Sequence, residues 1–316
     1  MADPQKKIPY MEILKRALGL ATARKNRFLW WFGFFVALSG ITAYFDPLGG
    51  KNLLQNMPAL PYPRTTPGLM LFFVIALLLI AIGILGRGAL IRSLDNLVES
   101  KKTAFNDGID GGKNNFWKIF FISFSLNLFN VAILMILASP VAFLFYGKAF
   151  LIGTLLGIIA ALILVPLLFL TFFLRTFGYL YAVLGPLSVW NSLENSYELL
   201  IRNWRSAIIM SILFIPIYIA ALSILVISLV PLALIFIMLG FISFLIVGNA
   251  GAAIISTLGI ILVFSIVLAI KSALAVFAQA VWLLYFREIA GNDRKEEMEE
   301  KESVIETLPV NPMENI

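Results

Sequence analysis

Charge-free apolar runs divide the chain at about 28–45, 68–86, 119–146, 149–174, 207–230 and 252–276. Each approaches the ~20 residues that a helix needs to cross a bilayer core. The fifth run poses a problem of length. No charge occurs in the 42 positions from Ala207 to Gly248, and at ~1.5 Å per residue an unbroken helix there would be about 60 Å long, twice the hydrocarbon thickness. A break is expected at Pro231, because a mid-helix proline loses one backbone bond and its ring collides with the preceding turn. Residues 231–248 then form either a short interfacial helix or a seventh span, and six spans are preferred because a repeat requires them.

The repeat shows where polar stretches give way to apolar ones. "KNRFLW" at 25–30, "KNNFWK" at 113–118 and "IRNWRS" at 201–206 set Asn26, Asn114 and Asn203 at intervals of 88 and 89 residues. A fixed period points to a repeated structural unit. Before each phrase lies an amphipathic stretch. In the third, Trp190, Leu193, Tyr197, Leu200 and Trp204 recur at helical spacing among Asn191, Glu194, Asn195, Glu198 and Arg202, the pattern of a helix lying at a membrane surface. In the first, Met11, Leu14, Leu18 and Ala21 share a face. In the second, Leu90, Ile91, Leu94, Leu97 and Val98 do so, and the loop "NDGIDGGKNN" is expected to separate this helix from its span. Pro47, Pro140 and Pro231 fall near the far ends of the odd-numbered spans, and Arg87, Arg175 and Lys271 fall late in the even ones.

Three units of surface helix plus two spans follow, at about 5–88, 89–185 and 186–290, with a charged tail at 291–316. Every unit begins from the same side, so the expected symmetry is a pseudo-threefold about the membrane normal rather than an inverted repeat. The expected fold is an all-α polytopic membrane helix bundle of six transmembrane helices.

Charge orients it. Twenty of the 24 Lys and Arg fall before Phe28, between Arg87 and Lys118, between Arg175 and Arg205, or from Arg287 onward; Lys51, Arg64 and Lys148 fall on the other side. Basic residues accumulate on the cytoplasmic side of short loops, which puts both termini in the cytoplasm of a cell whose inner membrane holds the protein. The first apolar run is read as a retained helix and not a cleaved signal. The mixed charge of the tail suggests a helical extension that frays into disorder.

Composition narrows the chemistry. The 316 residues are 60% hydrophobic and 13% charged, with mean hydropathy +0.94, which marks an integral membrane protein. There is no cysteine and no histidine, so thiolate nucleophiles, imidazole bases and the commonest transition-metal ligands are absent. No cluster of nucleophile, base and oxyanion donors can be assembled in the spans. No enzyme, cofactor or metal site is expected. The net charge of +6 is accounted for by orientation, so nucleic acid is not an expected partner.

The stretch "VWNSLENSYELLIRNWRSAIIMSILFIPIY" at 189–218, with its weaker echo at 89–121, resembles the polytopic membrane domain that precedes the catalytic barrel in some bacterial glycerophosphodiester phosphodiesterases, and the small six-span bacterial proteins similar to it. The resemblance covers most of residues 5–290. It implies fold and membrane placement; the phosphodiesterase activity of that family belongs to a metal-binding soluble barrel, and no catalytic residue carries over.

Three sets of residues are candidates for function. Arg87, Arg175 and Lys271 could converge around a threefold axis to hold an anionic lipid headgroup or another phosphate; alternatively, each is an anchor that snorkels to the interface. Lys25, Asn26, Lys113, Asn114, Trp117, Arg202, Asn203 and Trp204 form the interfacial repeat motif, either three well-built membrane boundaries or a cytoplasmic collar for a protein partner. Gly153 and Gly157 have the small-xxx-small spacing that lets helices pack closely, more often within a bundle than across a dimer seam. The function expected is a non-enzymatic membrane protein that binds or organises anionic inner-leaflet lipid, or a protein partner, at the cytoplasmic face. The alternative is a transporter or channel component for an anionic or amphipathic solute. The lack of Asp and Glu inside the expected spans weighs against ion-coupled transport.

Overall fold

The computed structural model describes residues 8–23, 26–40, 66–101 and 103–307. Lys25, Pro47, Lys51, Arg64 and the last nine residues of the tail lie outside them. Among the described residues the chain is helical, without a strand. The helices are α1 (Tyr10–Thr22), α2 (Phe28–Ser39), α3 (Thr66–Val98), α4 (Phe105–Asn114), α5 (Phe116–Tyr146), α6 (Phe150–Leu184), α7 (Val189–Arg202), α8 (Trp204–Val247) and α9 (Asn249–Thr307). Helices α3, α5, α6, α8 and α9 each contain a segment long and apolar enough to cross a membrane, and α2 is a shorter apolar helix. This is the build of a multi-pass membrane protein.

Neighbours in sequence pack as hairpins: α2 with α3, α5 with α6, and α8 with α9. The short helices are laid against the long helix that ends nearest them, so α4 packs along α3, α7 along α6 and α1 along α9. Helices α3, α6 and α9 also touch one another pairwise, and α2 is wedged between α3 and α9. The buried core, including Phe32, Leu94, Ile119, Phe177, Leu180, Met210 and Tyr285, lies at the end of the bundle that carries the short helices. Away from that end, the α5–α6 and α8–α9 hairpins continue as apolar arms with their side chains exposed.

Small residues set the close crossings. Ala17 and Ala21 on α1, Gly108 and Gly112 on α4, and Ser192 and Ser196 on α7 are buried pairs spaced four apart, a spacing that stacks two small side chains on one face and lets backbones approach. A Cβ added at Gly88 would lie 2.9 Å from the Gly112 Cα, and one added at Gly112 would lie 2.5 Å from the Leu85 carbonyl oxygen.

Several expectations need correction. Leu90, Ile91, Leu94, Leu97 and Val98 do not begin a second surface helix; they are the last turns of α3, with Leu90, Ile91 and Leu94 in the core. The charges that suggested an earlier stop are taken up by partners inside the bundle, described below. The polar stretch "NDGIDGGKNN" is not a loop but nearly all of α4, since its glycines are what allow it to press against α3. No break occurs at Pro231. Helix α8 runs for 44 residues through Pro216 and Pro231, about 66 Å at 1.5 Å per residue. In apolar surroundings a proline costs one backbone bond, whereas ending the helix would free several, so the helix continues. The chain reverses instead at Gly248, at φ 76° and ψ −154°, a conformation open essentially to glycine alone. The α1 face of Met11, Leu14, Leu18 and Ala21 is also revised: Ile13, Ala17 and Ala21 are buried, and Met11 and Leu18 point outward. In the tail the backbone stays helical to Thr307.

Candidate functional site

Where a short helix meets a long one, an asparagine closes the joint. The Asn203 side-chain amide donates to the Leu199 carbonyl at 3.2 Å, that of Asn115 to Gly111 at 3.0 Å, and that of Asn26 to Leu20 at 3.0 Å. Each amide adds a bond to a carbonyl in the last turns of the preceding helix; that of Leu199 also accepts the Asn203 backbone N–H at 3.1 Å. Asn115 and Asn203 have nearly the same backbone (φ −108°, ψ 7° and φ −116°, ψ 23°) and stand between two helices. Asn114 does not close this joint; it is exposed in the last turn of α4 beside the exposed Lys113. With Asn115 in its place, Ile119, Ile122 and Leu126 correspond to Ala207, Met210 and Phe214 as the buried positions of the helix that follows.

An aromatic belt surrounds these joints. Trp31, Trp117, Trp190 and Trp204 are exposed, Trp117 by 64% and Trp190 by 75%. The Trp30 indole donates to the Ala21 carbonyl at 3.0 Å, and the Arg205 guanidinium lies 5.6 Å from the centre of the Trp204 ring. On α7 the buried side is Ser192, Ser196, Leu199 and Leu200, so Trp190, Tyr197 and Ile201 form a separate outward stripe. Arg202, in the last turn, lines a pocket of about 420 Å³ with Tyr181, Asn195, Glu198 and Phe286. An apolar groove of about 530 Å³ runs between α8 and α9 near Phe236, Gly240 and Gly259. Arg87, Arg175 and Lys271 line neither.

The polar chemistry lies instead in the seam between α5 and α6. Arg87 Nη1 of α3 donates to the Tyr179 hydroxyl of α6 at 3.3 Å, with its guanidinium 5.5 Å from the ring centre. That hydroxyl is also hydrogen-bonded to Ser123 Oγ of α5. One turn along both helices, Arg175 Nη2 of α6 donates to Asn127 Oδ1 of α5. Arg175 Nε is buried and has no hydrogen-bond partner among the described residues. Nearer the belt, Lys118 Nζ donates to the Ala182 carbonyl at 3.5 Å. No Asp or Glu occurs anywhere from Phe116 to Leu184. Two of the three candidate cations thus stand along one seam, Arg87 on Tyr179 and Arg175 on Asn127 one turn away. Lys271 is placed elsewhere: it precedes Ser272, whose hydroxyl donates to the Trp30 carbonyl at 2.7 Å and marks the α2–α9 seam.

A second polar cluster clamps α3 to α9. Arg287 donates to both Asp95 and Glu99, and Arg92 approaches Asp95 at 3.7 Å. Asp95 is only 5% exposed. Glu99 also pairs with Lys101. Its hydrogen bond from Lys101, and then that from Arg287, hold the Glu99 carboxyl below its ordinary range. On the neighbouring face, Tyr285 and Ser206 share a 2.7 Å hydrogen bond. Burial raises the Tyr10 phenol, opposed by its own hydrogen bond with Ser206. Gly153 packs against Leu144 and Phe145, and Gly157 against Val141, both inside the α5–α6 hairpin. Among the described residues no group of three or more acidic residues could hold a metal.

No protein-family model, curated protein or solved structure matches the chain.

Sequence reasoning missed Tyr179, Ser123 and Asn127 as partners of the arginines, and Arg287 as the partner of Asp95. A signal existed for the first set: Ser123 and Asn127 stand one turn apart on α5, and Arg175 and Tyr179 one turn apart on α6, so two polar pairs recur at the same helical spacing. The Asp95–Arg287 pairing left no such trace, because its members are far apart in sequence.

Proposed function

We propose that the protein is a non-enzymatic six-span membrane protein that takes the phosphate-bearing headgroup of an anionic lipid into its α5–α6 seam from the cytoplasmic side. The carrying observation is the pair of guanidiniums, Arg87 and Arg175, bonded to the neutral oxygens of Tyr179 and Asn127 in a hairpin without a carboxylate. A cation with neutral partners keeps its full charge and its unmet donors for an anion, and guanidinium suits the two oxygens of a phosphate. The exposed tryptophans support the same placement, since aromatic rings favour the headgroup region.

In this reading the spans are α2, α3, α5, α6, α8 and α9, in three repeats that each begin with a short helix, with both termini cytoplasmic. The order of short, long and long helix in α4–α6 and again in α7–α9 supports it, and among the described residues the first unit departs from it in that α2 has 12 residues. The three asparagine joints also support it. Because the chain has no cysteine, single introduced cysteines report sidedness cleanly. A membrane-impermeant maleimide should label Lys148→Cys in intact cells and Ser100→Cys only after lysis; the reverse pattern would invert the topology.

Native mass spectrometry on protein extracted with its lipids tests the binding. The wild type should retain anionic phospholipid over zwitterionic lipid, and the Arg87→Ala/Arg175→Ala variant should lose most of it. Lys271→Ala should have the smaller effect. Equal retention by the triple variant of all three cations would sink the reading. A second reading, carriage of an anionic or amphipathic solute, draws on the same cations; inorganic phosphate displacing lipid from the protein would favour it.

A further inference from the structure

The α5–α6 seam does not stop at the site of the two arginines. Its register is antiparallel and regular: Lys118 meets Ala182, Ser123 meets Tyr179, and Asn127 meets Arg175. Continued by one more turn, it brings Asn130 level with Thr171. Ser123, Asn127 and Asn130 lie on one face of α5, spaced four and three apart. Asn127 is exposed and Asn130 half-buried, so this polar face opens outward and is not sealed within the bundle.

Depth follows from the helix rise. With the exposed Trp117 at the headgroup level, Ser123 lies about 9 Å and Asn127 about 15 Å into the membrane, and Asn130 about 20 Å. A hydrocarbon core of ~30 Å then ends near Leu137. The Arg175–Asn127 pair is therefore near mid-depth. Beyond Asn130 the helix is apolar for about 27 Å up to the Lys148 turn, interrupted by the hydroxyl of Ser139. Beyond the core end of the bundle, few side chains of the α5–α6 hairpin are buried, so acyl chains can lie against it while a headgroup occupies the seam.

A phospholipid crosses a bilayer slowly because its charged headgroup must pass through hydrocarbon, where an unpaired charge is most costly near the centre. Here a guanidinium whose buried Nε has no hydrogen-bond partner among the described residues stands at that depth, reached through Lys118, Arg87 and Ser123 from one side. We infer that the α5–α6 seam is a path for the phosphate headgroup of a phospholipid, and that the protein allows such lipids to move between leaflets without an energy source. The lipid enters at Lys118, exchanges onto Arg87 and then Arg175, and leaves past Asn130. No bond is made or broken. The inference rests on the lipid-binding reading above and adds movement to it.

The test is a vesicle assay on the full chain. It is reconstituted in phosphatidylcholine vesicles containing phosphatidylglycerol and a trace of fluorescent phosphatidylglycerol, and dithionite is added to bleach the outer leaflet. Protein-free vesicles should lose about half of their fluorescence, and protein-containing vesicles nearly all of it. Arg175→Ala should slow the second phase by at least ~10-fold, one decade of rate for each broken charge-assisted contact. Asn130→Leu lies outside the binding site, so it should slow movement while anionic lipid still co-purifies. Asn130→Ser, which restores a polar group, should recover the rate, and an unchanged elution profile in detergent shows that each variant is folded. Retained anionic lipid with bleaching of only half the fluorescence would overturn the path and leave the binding reading standing. Loss of co-purifying lipid from the wild type would overturn both. Rapid movement unaffected by Arg175→Ala and Asn130→Leu would place the path outside this seam and overturn its assignment.

Discussion

At the scale of single residues, what distinguishes this chain is how its few charges inside helices are met. Asp95 is buried and answered by Arg287, whereas among the described residues Arg87 and Arg175 bond to a hydroxyl and an amide oxygen. The first arrangement is a clamp. Arg287→Ala leaves a buried carboxylate opposite the more distant Arg92 alone, and should destabilise the protein by about 2–3 kcal/mol, less than for a fully enclosed pair because Arg287 is a third exposed. Thermal melting in detergent measures this, and Asp95→Ala added to Arg287→Ala should restore part of the loss. Glu99 gives the clamp a pH dependence. Its folded value lies below its ordinary one, so its contribution is complete above the ordinary glutamate value of about 4.3 and is lost as pH falls through the folded value. Melting temperatures of the wild type and Glu99→Gln should therefore converge as the pH is lowered below ~4 and separate at neutral pH. The asparagine joints are legible in sequence as a period, but not to the residue. The period selected Asn114, while the amide that closes the joint belongs to Asn115, since only the path of the α4 backbone decides which of two adjacent asparagines points back. Asn115→Ala and Asn203→Ala should each cost about 1 kcal/mol, the net worth of one hydrogen bond.

At the scale of elements, the short helices show why amphipathic patterns mislead in a membrane protein. In water the large apolar face turns inward, and the large residues of α1 and α7 would be placed against the bundle. Here Met11, Leu18, Trp190 and Tyr197 face outward, and the pairs Ala17/Ala21 and Ser192/Ser196 face inward. Lipid accepts a tryptophan as readily as another helix does, so burial is governed by how closely backbones can approach. Helix α4 carries this furthest. Its glycines resemble a loop by every soluble criterion, yet they allow it to lie against α3. Gly112→Ala should force the two backbones apart at the Leu85 carbonyl and cost about 1–3 kcal/mol, while Gly19→Ala, where an added Cβ meets nothing, should be neutral or slightly stabilising. A melting series of the two variants separates crowding from helix propensity.

At the scale of the whole molecule, a packed end and two long arms divide the structure. Helix α8 is more than twice as long as the hydrocarbon is thick, so in a bilayer the α8–α9 arm accommodates by tilting, by roughly 45–60° from the normal depending on how much of the headgroup layer it occupies. Oriented solid-state NMR of α8 should give a tilt in that range; a value near the ordinary ~20° would require a markedly thickened bilayer instead. The sequence by itself determined that the chain is helical and membrane-spanning, where the apolar segments lie and which end carries the aromatic and basic residues. Those properties are sums along a single helix, and hydrophobic transfer to lipid is additive residue by residue. The tertiary structure alone decided that α3 runs on to Val98, that α4 is a helix, that α8 passes through Pro231, and that Arg87 and Arg175 share a seam while Lys271 borders another. Each of these depends on what a neighbouring helix offers: a carboxylate for Arg287, a glycine-lined groove for α4, a hydroxyl or an amide for an arginine. A partner brought from far along the chain leaves no mark on the local pattern, so it becomes visible only once the helices are packed.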